Sequence, residues 1–423
     1  MRFIADLHIH SRFSRATSRD MSLENLWKWA QLKGISVVGT GDFTHPRWYQ
    51  ELKEKLDIKY DNLFKLKVKY CADDIPESCR AEVYFMLTAE VSCIYTKNGK
   101  VRKIHSLIFA PDLATVSRIN TVLSRIGNIS SDGRPILGLD AKKLLKIVLD
   151  VSEKALIVPA HAWTPHFSVF GASSGFDSLE ECYEELTGYI HAIETGLSSD
   201  PSMNWRLSSL DKITLISNSD AHSPANLGRE ANIFDTGVSY DSIIRAIKTR
   251  EGFLKTIEFF PEEGKYHYDG HRACGVSLSP RETIKHNYLC PVCGKKVTVG
   301  VMHRVEKLAD REGGIRPSGA LPFHSLIPLR EIIAETIRIG VNSKAVNSEY
   351  FNLIEKLGNE FEILIEASLD DVERAGSPML REAISRMRSR NVHIAPGYDG
   401  EYGRIKILDD VKRKKIKGPT TLF

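Results

Sequence analysis

Histidine and acidic residues recur at the ends of apolar runs in the first half of the chain. An Asp-Leu-His-Ile-His segment places His8 and His10 two positions apart, so both imidazoles lie on one side of an extended backbone. A Ser-Asp-Ala-His segment repeats this spacing with Asp220 and His222. Histidine and carboxylate side chains together are typical ligands of zinc, manganese and related ions. We therefore predict a metal centre to which both segments contribute.

Further candidate ligands follow the other apolar runs of this region. The additional predicted ligands are Asp42, Glu90, His105 and His161. For His45 and Glu194, the sequence leaves open whether each binds a metal or orients a residue that does. A lone histidine at the end of a strand usually has only a structural role. A structural role does not explain why histidine or acidic residues recur after successive strands. The predicted catalytic residues are His8, His10, Glu90, His161, Asp220 and His222.

These residues must be positioned by a series of strands and helices. Over roughly the first 260 residues, short apolar runs alternate with longer amphipathic ones, which is typical of βα units and a mainly parallel sheet. The predicted strands are residues 2–5, 36–40, 83–88, 104–109, 155–159, 190–194 and 213–217. Ser22 and Asp140 are predicted N-caps of amphipathic helices. Periodicity alone leaves an open doubly wound sheet and a barrel as alternatives.

A second group of metal ligands is predicted later in the chain. Two residues separate His271 from Cys274, two separate Cys290 from Cys293, and fifteen separate the two pairs. This spacing is typical of a closed tetrahedral structural zinc site with three cysteines and one histidine. His267 and His286 are alternatives to His271 as the fourth ligand. The remaining cysteines are predicted to be ordinary thiols: Cys71, Cys79, Cys93 and Cys182.

Composition indicates a folded, water-soluble protein. Of the 423 residues, 42% are hydrophobic and 26% are charged, and the net charge of +4 is too small to indicate a nucleic-acid partner by itself. No run approaches the roughly 18 apolar residues of a membrane span. The odd number of cysteines, 7, favours a reducing compartment. Because the first residues also lack a secretory signal, we expect a cytoplasmic protein.

The motifs around His8, Glu90 and Asp220 resemble those of the polymerase and histidinol phosphatase (PHP) superfamily, over roughly residues 1–255. This resemblance implies an α/β fold with a distorted (β/α)7 barrel, and a phosphoesterase with two or three ions at the carboxyl ends of the strands. No protein nucleophile is then required. The chain departs from many members at residues 14–16, which contain no histidine, and at Asp42, where many members have histidine.

The whole chain resembles the endonuclease Q family in the order of its parts: a PHP barrel, the cysteine pairs and a Gly-Tyr-Asp-Gly-Glu-Tyr-Gly segment at 397–403. This resemblance implies an archaeal, sporadically bacterial DNA-repair endonuclease, associated with the nucleoid. Such an enzyme hydrolyses the phosphodiester on the 5′ side of uracil, hypoxanthine, xanthine and abasic sites. Damaged DNA is the expected partner. The expected cofactors are Zn²⁺ in the structural site, and Zn²⁺, Mg²⁺ or Mn²⁺ in the cluster.

A nuclease that recognises a base flips it out of the stack and holds it between apolar walls. Trp163, Phe167 and Phe170 lie on the segment that follows His161 and are the predicted substrate-binding residues. The alternative is that these aromatic side chains cap the barrel.

We predict four segments along the chain: a barrel over 1–258, a zinc-binding module over 259–304, a helical domain over 305–410 and a basic tail over 411–423. Residues 381–417 contain eleven Lys or Arg and five Asp or Glu, so they are candidate contacts to DNA phosphates or a solvated helix face. The end at 418–423 is a candidate sliding-clamp-binding peptide, although it lacks the usual glutamine; the alternative is a terminus without function.

Two other functions are consistent with part of the sequence. A PHP-family small-molecule phosphatase, such as histidinol-phosphate phosphatase, would share the barrel ligands, but it has no evident use for a zinc module and a basic C-terminal third. A non-catalytic DNA-binding subunit with a degenerate barrel is disfavoured because the costly set of polar ligands is nearly complete.

Overall fold

The structure is a computed structural model that describes residues 1–59 and 62–408. The strands within these residues are β1 (Arg2–Asp6), β2 (Val37–Gly39), β3 (Leu56–Lys59), β4 (Leu63–Leu66), β5 (Tyr84–Lys97), β6 (Lys100–Ala110), β7 (Ile136–Leu137), β8 (Leu156–Pro159), β9 (Ala192–Glu194), β10 (Thr214–Ile216), β11 (Ala231–Asp235), β12 (Phe253–Glu258), β13 (Asp269–His271), β14 (Val276–Leu278), β15 (Phe323–Ser325), β16 (His393–Ala395) and β17 (Arg404–Lys406).

The α-helices within the same residues are α1 (Leu23–Lys33), α2 (Pro46–Lys55), α3 (Leu113–Ile126), α4 (Ala141–Val151), α5 (Leu179–Tyr183), α6 (Pro201–Asn204), α7 (Tyr240–Thr249), α8 (Pro280–Lys285), α9 (Val301–Leu308), α10 (Leu329–Ile337), α11 (Lys344–Leu357), α12 (Leu369–Ala375) and α13 (Pro378–Arg388). Ser22 and Asp140 cap α1 and α4 as predicted, each accepting a hydrogen bond from a backbone N–H of the first turn.

A large mixed sheet forms the centre of the molecule. Its main order is β15–β12–β11–β1–β2–β5–β4–β3; β6 and β7 also pair with β5, and β8 pairs with β6. Strands β1, β2 and β5 are parallel, whereas β6 is antiparallel to both β5 and β8. Strands β9 and β10 form a separate parallel pair. The predicted α/β class with a central sheet is therefore confirmed.

The seven strands predicted from the sequence correspond to β1, β2, β5, β6, β8, β9 and β10, and they are linked into a ring. The backbone N–H of Ala162, beyond β8, donates to the carbonyl of Glu194 in β9 at 2.9 Å. The N–H of His10, beyond β1, donates to the carbonyl of Ala221, beyond β10, at 3.0 Å. The distorted (β/α)7 barrel that the family resemblance implies remains a prediction.

The prediction of a mainly parallel sheet was wrong. Strands β5 and β6 form an antiparallel hairpin that turns at Asn98 and Gly99, both of which have positive φ, 53° and 71°. An Asn-Gly pair favours a two-residue hairpin turn, which can connect only antiparallel strands. The sequence pattern also missed β11 and β12, which extend the sheet beyond β1 in antiparallel orientation.

Helices α10 and α11 lie in the C-terminal region that the sequence predicts to be helical. They are joined to the barrel region through β15, which pairs with β12, and through a buried ion pair of 2.7 Å between Lys33 and Glu360. The hairpin of β16 and β17 contacts the cysteine-rich segment, since Tyr268 N donates to Gly397 O at 2.9 Å. The predicted domain boundaries remain predictions.

The proposed basic tail, its clamp-binding end and residues 409–417 of the basic segment lie outside the described residues. Among the residues that the structure does describe, no helix combines the length and the apolar character needed to cross a membrane. The cytoplasmic and nucleoid-associated location remains a prediction.

Candidate metal centre

Six predicted ligands converge where strands of the ring meet. They are His8 and His10 after β1, Glu90 within β5, His105 within β6, His161 after β8, and Asp220 after β10. Five of them are buried, and the side chain of Asp220 is 26% exposed. The cluster is therefore open to solvent on the side of Asp220.

The first group of donor atoms belongs to His8, His10, Glu90 and Asp220, and these atoms lie within 4.8 Å of one another. His10 Nε2 is 3.2 Å from Glu90 Oε2 and 3.1 Å from Asp220 Oδ1. His8 Nε2 is 3.6 Å from each of the same two oxygens. Two nitrogens and two oxygens thus surround one point.

The second group shares Glu90 with the first. Glu90 Oε1 is 2.6 Å from His105 Nδ1 and 3.0 Å from His161 Nε2, and the two nitrogens are 3.3 Å apart. One oxygen of Glu90 faces each group. Glu90 could therefore contribute one oxygen to a cation in each group.

Several buried atoms of the first group lack hydrogen-bond partners within the described residues, and they indicate whether a divalent cation fits this group. His8 Nε2, His10 Nε2 and Asp220 Oδ1 are buried, and within the described residues they have no hydrogen-bond partner. Buried polar atoms without partners are costly, by about 1–3 kcal/mol each. A cation bound by histidine nitrogens and carboxylate oxygens would satisfy all three atoms at once, so the residues fit such a group.

Two carboxylates hold the ring nitrogens that face away from the cluster. His8 Nδ1 is 3.0 Å from both oxygens of Glu194, and His10 Nδ1 is 3.0 Å from Asp42 Oδ1. A histidine whose Nδ1–H donates to a carboxylate presents the lone pair of Nε2 to a metal. Glu194 thus lies behind His8 and is absent from the converging donor atoms.

Asp42 occupies a different place from the one predicted for it. Its Oδ2 accepts hydrogen bonds from Ser11 N, Ser11 Oγ and Ser14 Oγ at 2.6, 2.7 and 2.8 Å, and its Oδ1 faces His10. Both oxygens are therefore engaged behind His10, and Asp42 is absent from the converging donor atoms. The reason is that β2 pairs with β1, so Asp42, which follows β2, lies beside the segment that follows β1.

His222 and His45 lie outside the six converging ligands. The ring of His222 is 4.6 Å from that of His10, and its Nδ1 is 2.8 Å from the carbonyl oxygen of Asp220, so it borders the open side. His45 stacks on Phe13, with ring centroids 4.5 Å apart, and its Nε2 is 3.2 Å from the carbonyl of Ser130. His45 thus contacts the neighbouring loop and is absent from both groups of converging donor atoms.

The electrostatics of the cluster couple cation binding to protons. Burial lowers the pKa of His8 and His10, but the carboxylates of Glu194, Asp220 and Asp42 outweigh it and raise both values well above the usual range. Burial raises the pKa of Glu90, but nearby histidine and arginine charges hold it well below its usual range. Because a histidine binds a cation only in its neutral form, a cation at this cluster would compete with protons at His8 and His10.

An arginine that the sequence interpretation missed contacts the cluster. Arg134 Nη1 is 3.1 Å from Glu90 Oε2, and its side chain is 26% exposed. It belongs to the loop between α3 and α4, just before β7. No ligand spacing marks this loop in the sequence, so only the folded chain identifies the contact.

Two of the three aromatic residues predicted to bind substrate are part of the core. Trp163 and Phe170 are each 1% exposed, their ring centroids are 4.9 Å apart, and Trp163 Nε1 donates to Asn204 Oδ1 at 2.8 Å. They offer no surface to a base in this structure, as the barrel-capping alternative expects. Phe167 is half-buried, and its ring lies 4.8 Å from that of His105.

Two buried carboxyl groups, Glu230 and Glu258, lie near Glu194. Glu258 accepts a hydrogen bond from Thr195 Oγ1 at 3.0 Å, while within the described residues Glu230 Oε2 and Glu258 Oε1 have no partner. Burial raises the pKa of Glu258 to about 8 and raises the pKa of Glu230 well above its usual value. Glu258 therefore keeps its proton at neutral pH in the folded protein.

This buried proton predicts a pH dependence of stability. The unfolded chain ionises Glu258 above about pH 4.5, whereas the folded chain retains the proton up to about pH 8, so the free energy of unfolding should fall as pH rises between these values. Glu258→Gln should remove on the order of 3 kcal/mol of that fall between pH 5 and pH 8. Denaturant unfolding at both pH values measures it, with exposed Glu251→Gln as the control. Identical pH slopes in variant and wild type would contradict the assignment.

The predicted zinc ligands also come together. The ligand atoms of His271, Cys274, Cys290 and Cys293 lie within 4.8 Å of one another, and Cys293 Sγ is 3.7 Å from His271 Nδ1. The N–H of Gly294 donates to the Cys290 carbonyl at 2.9 Å and closes the turn after Cys290. Gly294 has a φ of 71°, which favours glycine at this position. The alternatives, His267 and His286, are absent from this group, so His271 is the fourth member.

Two comparisons with known proteins show similarity over parts of the chain. Residues 328–391 match the family model described as the MJ0043 C-terminal domain. The uncharacterized protein MJ0043 of Methanocaldococcus jannaschii is 36% identical over 254 residues, which are 58% of this chain and 31% of that protein. The chain thus spans about a third of the length of this curated relative.

Two solved structures are similar throughout. The lesion-specific endonuclease PfuEndoQ from Pyrococcus furiosus has a TM-score of 0.85 and 31% identity, with 100% of both chains covered. Endonuclease Q in complex with a 27-mer duplex substrate that carries an abasic lesion at the active site has a TM-score of 0.84 and 32% identity, with 99% of this chain and 100% of that chain covered. This similarity confirms the resemblance drawn from the sequence and the expectation of a hydrolase of the nuclease class: the chain belongs to the endonuclease Q family.

Proposed function

We propose that this chain is a DNA-repair endonuclease that hydrolyses the phosphodiester on the 5′ side of deaminated bases and abasic sites. The observation that carries the proposal is the similarity along the whole chain to an endonuclease Q bound to a duplex with an abasic lesion. The deaminated bases that we propose are uracil, hypoxanthine and xanthine. Damaged DNA is the proposed partner, and the sliding clamp is a further proposed partner through the C-terminal end.

Divalent cations are the proposed cofactors of the cluster. His8, His10, Glu90 and Asp220 would hold one cation, and Glu90, His105 and His161 would hold a second. When bound, such ions activate water and polarise the phosphoryl group as Lewis acids. The mixed nitrogen and oxygen ligands favour Zn²⁺ or Mn²⁺, and Mg²⁺ is a weaker candidate because it prefers oxygen ligands. His271 and the three cysteines would hold a structural Zn²⁺.

The residues around the cluster would orient and neutralise the reacting groups. Glu194 and Asp42 fix the ring nitrogens of His8 and His10, so that both Nε2 atoms point inward. Burial lowers the pKa of His222, which leaves its ring neutral and its Nε2 free to accept a proton while Nδ1–H donates to the carbonyl of Asp220. His222 is thus the proposed proton-accepting residue on the open side of the site.

Phe167 is the proposed wall of the base-binding pocket. Its ring contacts that of His105, and Lys103 Nζ lies 5.2 Å from its centroid. An aromatic face beside the cluster with a cation over it suits an extruded base and its phosphate. Trp163 and Phe170 would support this loop from the core.

The orienting role of Glu194 predicts a loss of metal affinity. Glu194→Gln removes the charge behind His8 and should weaken Mn²⁺ binding by roughly 10- to 100-fold, because a neutral amide makes His8 a poorer ligand. Isothermal titration with Mn²⁺ measures this change, with Glu251→Gln as a matched exposed control. Unchanged Mn²⁺ affinity in Glu194→Gln would show that His8 does not depend on this carboxylate.

The proposed activity is tested on labelled duplexes that differ in one central position: guanine, uracil, hypoxanthine, xanthine or an abasic site. We expect the purified chain, with Mn²⁺ or Mg²⁺, to nick only the damaged duplexes, one bond 5′ to the lesion. His8→Ala and Asp220→Ala should be inactive, while Asp235→Ala, far from the cluster on β11, should retain activity. Phosphate release from a small monoester without nicking of any duplex would instead support the small-molecule phosphatase.

A further inference from the structure

Arg134 is held against the cluster by a fixed loop. On one side of it, Gly133 N donates to the carbonyl of Phe13 at 3.0 Å, and on the other side the carbonyl of Pro135 accepts from Ser92 N at 3.0 Å. The loop is therefore tied both to the segment after His10 and to β5, which carries Glu90. Backbone anchors on both sides of a residue restrict where its side chain can reach.

Only a small part of the hydrogen-bonding capacity of Arg134 is used. Nη1 donates to Glu90 Oε2, and within the described residues no other hydrogen bond or ion pair joins this guanidinium. A guanidinium carries five N–H donors in a planar fork. The side chain is 26% exposed, and none of its remaining nitrogens is among the buried atoms that lack a partner within the described residues, so these donors are accessible to solvent.

The oxygen that Arg134 contacts is the one required by the first metal group. Glu90 Oε2 lies 3.2 Å from His10 Nε2 and 3.6 Å from His8 Nε2, and it accepts from Arg134 at 3.1 Å. An arginine and a divalent cation that contact the same carboxylate oxygen repel each other. The single oxygen cannot fully neutralise both positive charges. A metal cation that binds Glu90 Oε2 would therefore displace the guanidinium of Arg134 from this oxygen.

We propose that Arg134 is an anion-binding residue with two partners: it neutralises Glu90 when the cluster lacks cations, and it holds a phosphate oxygen of the substrate when they are bound. The identity of that phosphate, a phosphodiester of DNA, rests on the proposed function. Arginine suits this role because its fork makes charge-assisted, bidentate hydrogen bonds to phosphate. Arg134 would place the phosphate against the same group of ligands that holds the cation.

A purely structural role makes the opposite prediction. If Arg134 only supported Glu90, its removal would misplace the carboxylate and weaken cation binding. If Arg134 competes with the cation, its removal would strengthen cation binding and weaken phosphate binding. The direction of the change in metal affinity therefore separates the two roles without any measurement of DNA cleavage.

The experiment is an isothermal titration of the full chain, dialysed to remove weakly held cations, with Mn²⁺ and then with inorganic phosphate. We expect Arg134→Gln to bind Mn²⁺ several-fold more tightly than wild type, and the Mn²⁺-loaded variant to bind phosphate about tenfold more weakly. Arg134→Lys, which keeps the charge but not the fork, should restore part of the phosphate affinity. Arg245→Gln, on the exposed face of α7, is the matched control.

A second arm uses the abasic duplex. The KM for cleavage should rise about tenfold in Arg134→Gln. Weaker or unchanged Mn²⁺ affinity, or unchanged phosphate affinity, in this variant would overturn the proposal. If wild type cleaves no duplex while the Mn²⁺ and phosphate shifts appear, the proposed function fails and the anion-binding role of Arg134 stands. If wild type cleaves the duplex without those shifts, the proposed function stands and the role of Arg134 fails.

Discussion

Replacement of Glu90 by glutamine is expected to reduce the kcat for cleavage of damaged duplexes by about a thousandfold or more. Glu90 directs Oε2 to His8 and His10 and directs Oε1 to His105 and His161. An amide has a single carbonyl oxygen and no charge, so it cannot serve both groups. Single-turnover cleavage of an abasic duplex at saturating Mn²⁺ measures the effect.

The control for this variant must separate loss of the cluster from loss of the fold. Glu251→Gln makes the same chemical change at a side chain that is 68% exposed and pairs only with Arg245 among the described residues, so it should keep full activity. Thermal melting of both variants reports on folding. A folded Glu90→Gln protein with near wild-type kcat would show that the shared carboxylate does not hold the catalytic ions.

Replacement of Cys290 by serine is expected to remove one equivalent of tightly bound zinc and to unfold the cysteine-rich segment. The short strands β13 and β14 and the six-residue helix α8 bury few apolar side chains of their own. A zinc ion bound by the four ligands would therefore supply much of the local stability, which for structural zinc is several kcal/mol or more, about 10 in small peptides. Metal analysis and amide hydrogen exchange over residues 269–304 measure the two effects.

The matched control is Cys71→Ser, because Cys71 is a partly buried thiol far from the four converging ligands. Zinc content and exchange over residues 269–304 should stay at wild-type values in that variant. Retention of the same zinc content and the same exchange protection in Cys290→Ser would contradict the structural site. Treatment of wild type with a strong chelator should reproduce the Cys290→Ser result without any mutation.

Local features of the fold could be predicted because their signals are local. The caps at Ser22 and Asp140 satisfy backbone donors within one helical turn, so the sequence around each is sufficient to identify them. The apolar runs likewise identified the seven strands of the ring. The Asn98-Gly99 pair is also a local signal, because it favours a hairpin turn. The prediction of parallel βα units did not take this signal into account.

The positions of single residues relative to the cluster were less predictable. Asp42 follows β2 and Glu194 ends β9, much as His8 and Asp220 follow their strands, yet both carboxylates lie behind a histidine. Trp163 and Phe167 are four residues apart on one loop, yet one is in the core and the other borders His105. Two positive-φ residues, His161 at 30° and Asp220 at 47°, turn their segments sharply at the site, and no composition pattern specifies such angles.

The sequence by itself determined the chemistry of this protein: which side chains can bind cations, their spacing in pairs along extended backbone, and the cysteine pairs of the second site. These properties follow from side-chain type and from the two-residue period of a strand, which need no knowledge of distant segments. Only the tertiary structure decided which oxygen faces which nitrogen. It brought Glu90 between two groups, placed Asp42 and Glu194 behind the histidines, and added Arg134, because such contacts join residues up to 200 or so positions apart through packing alone.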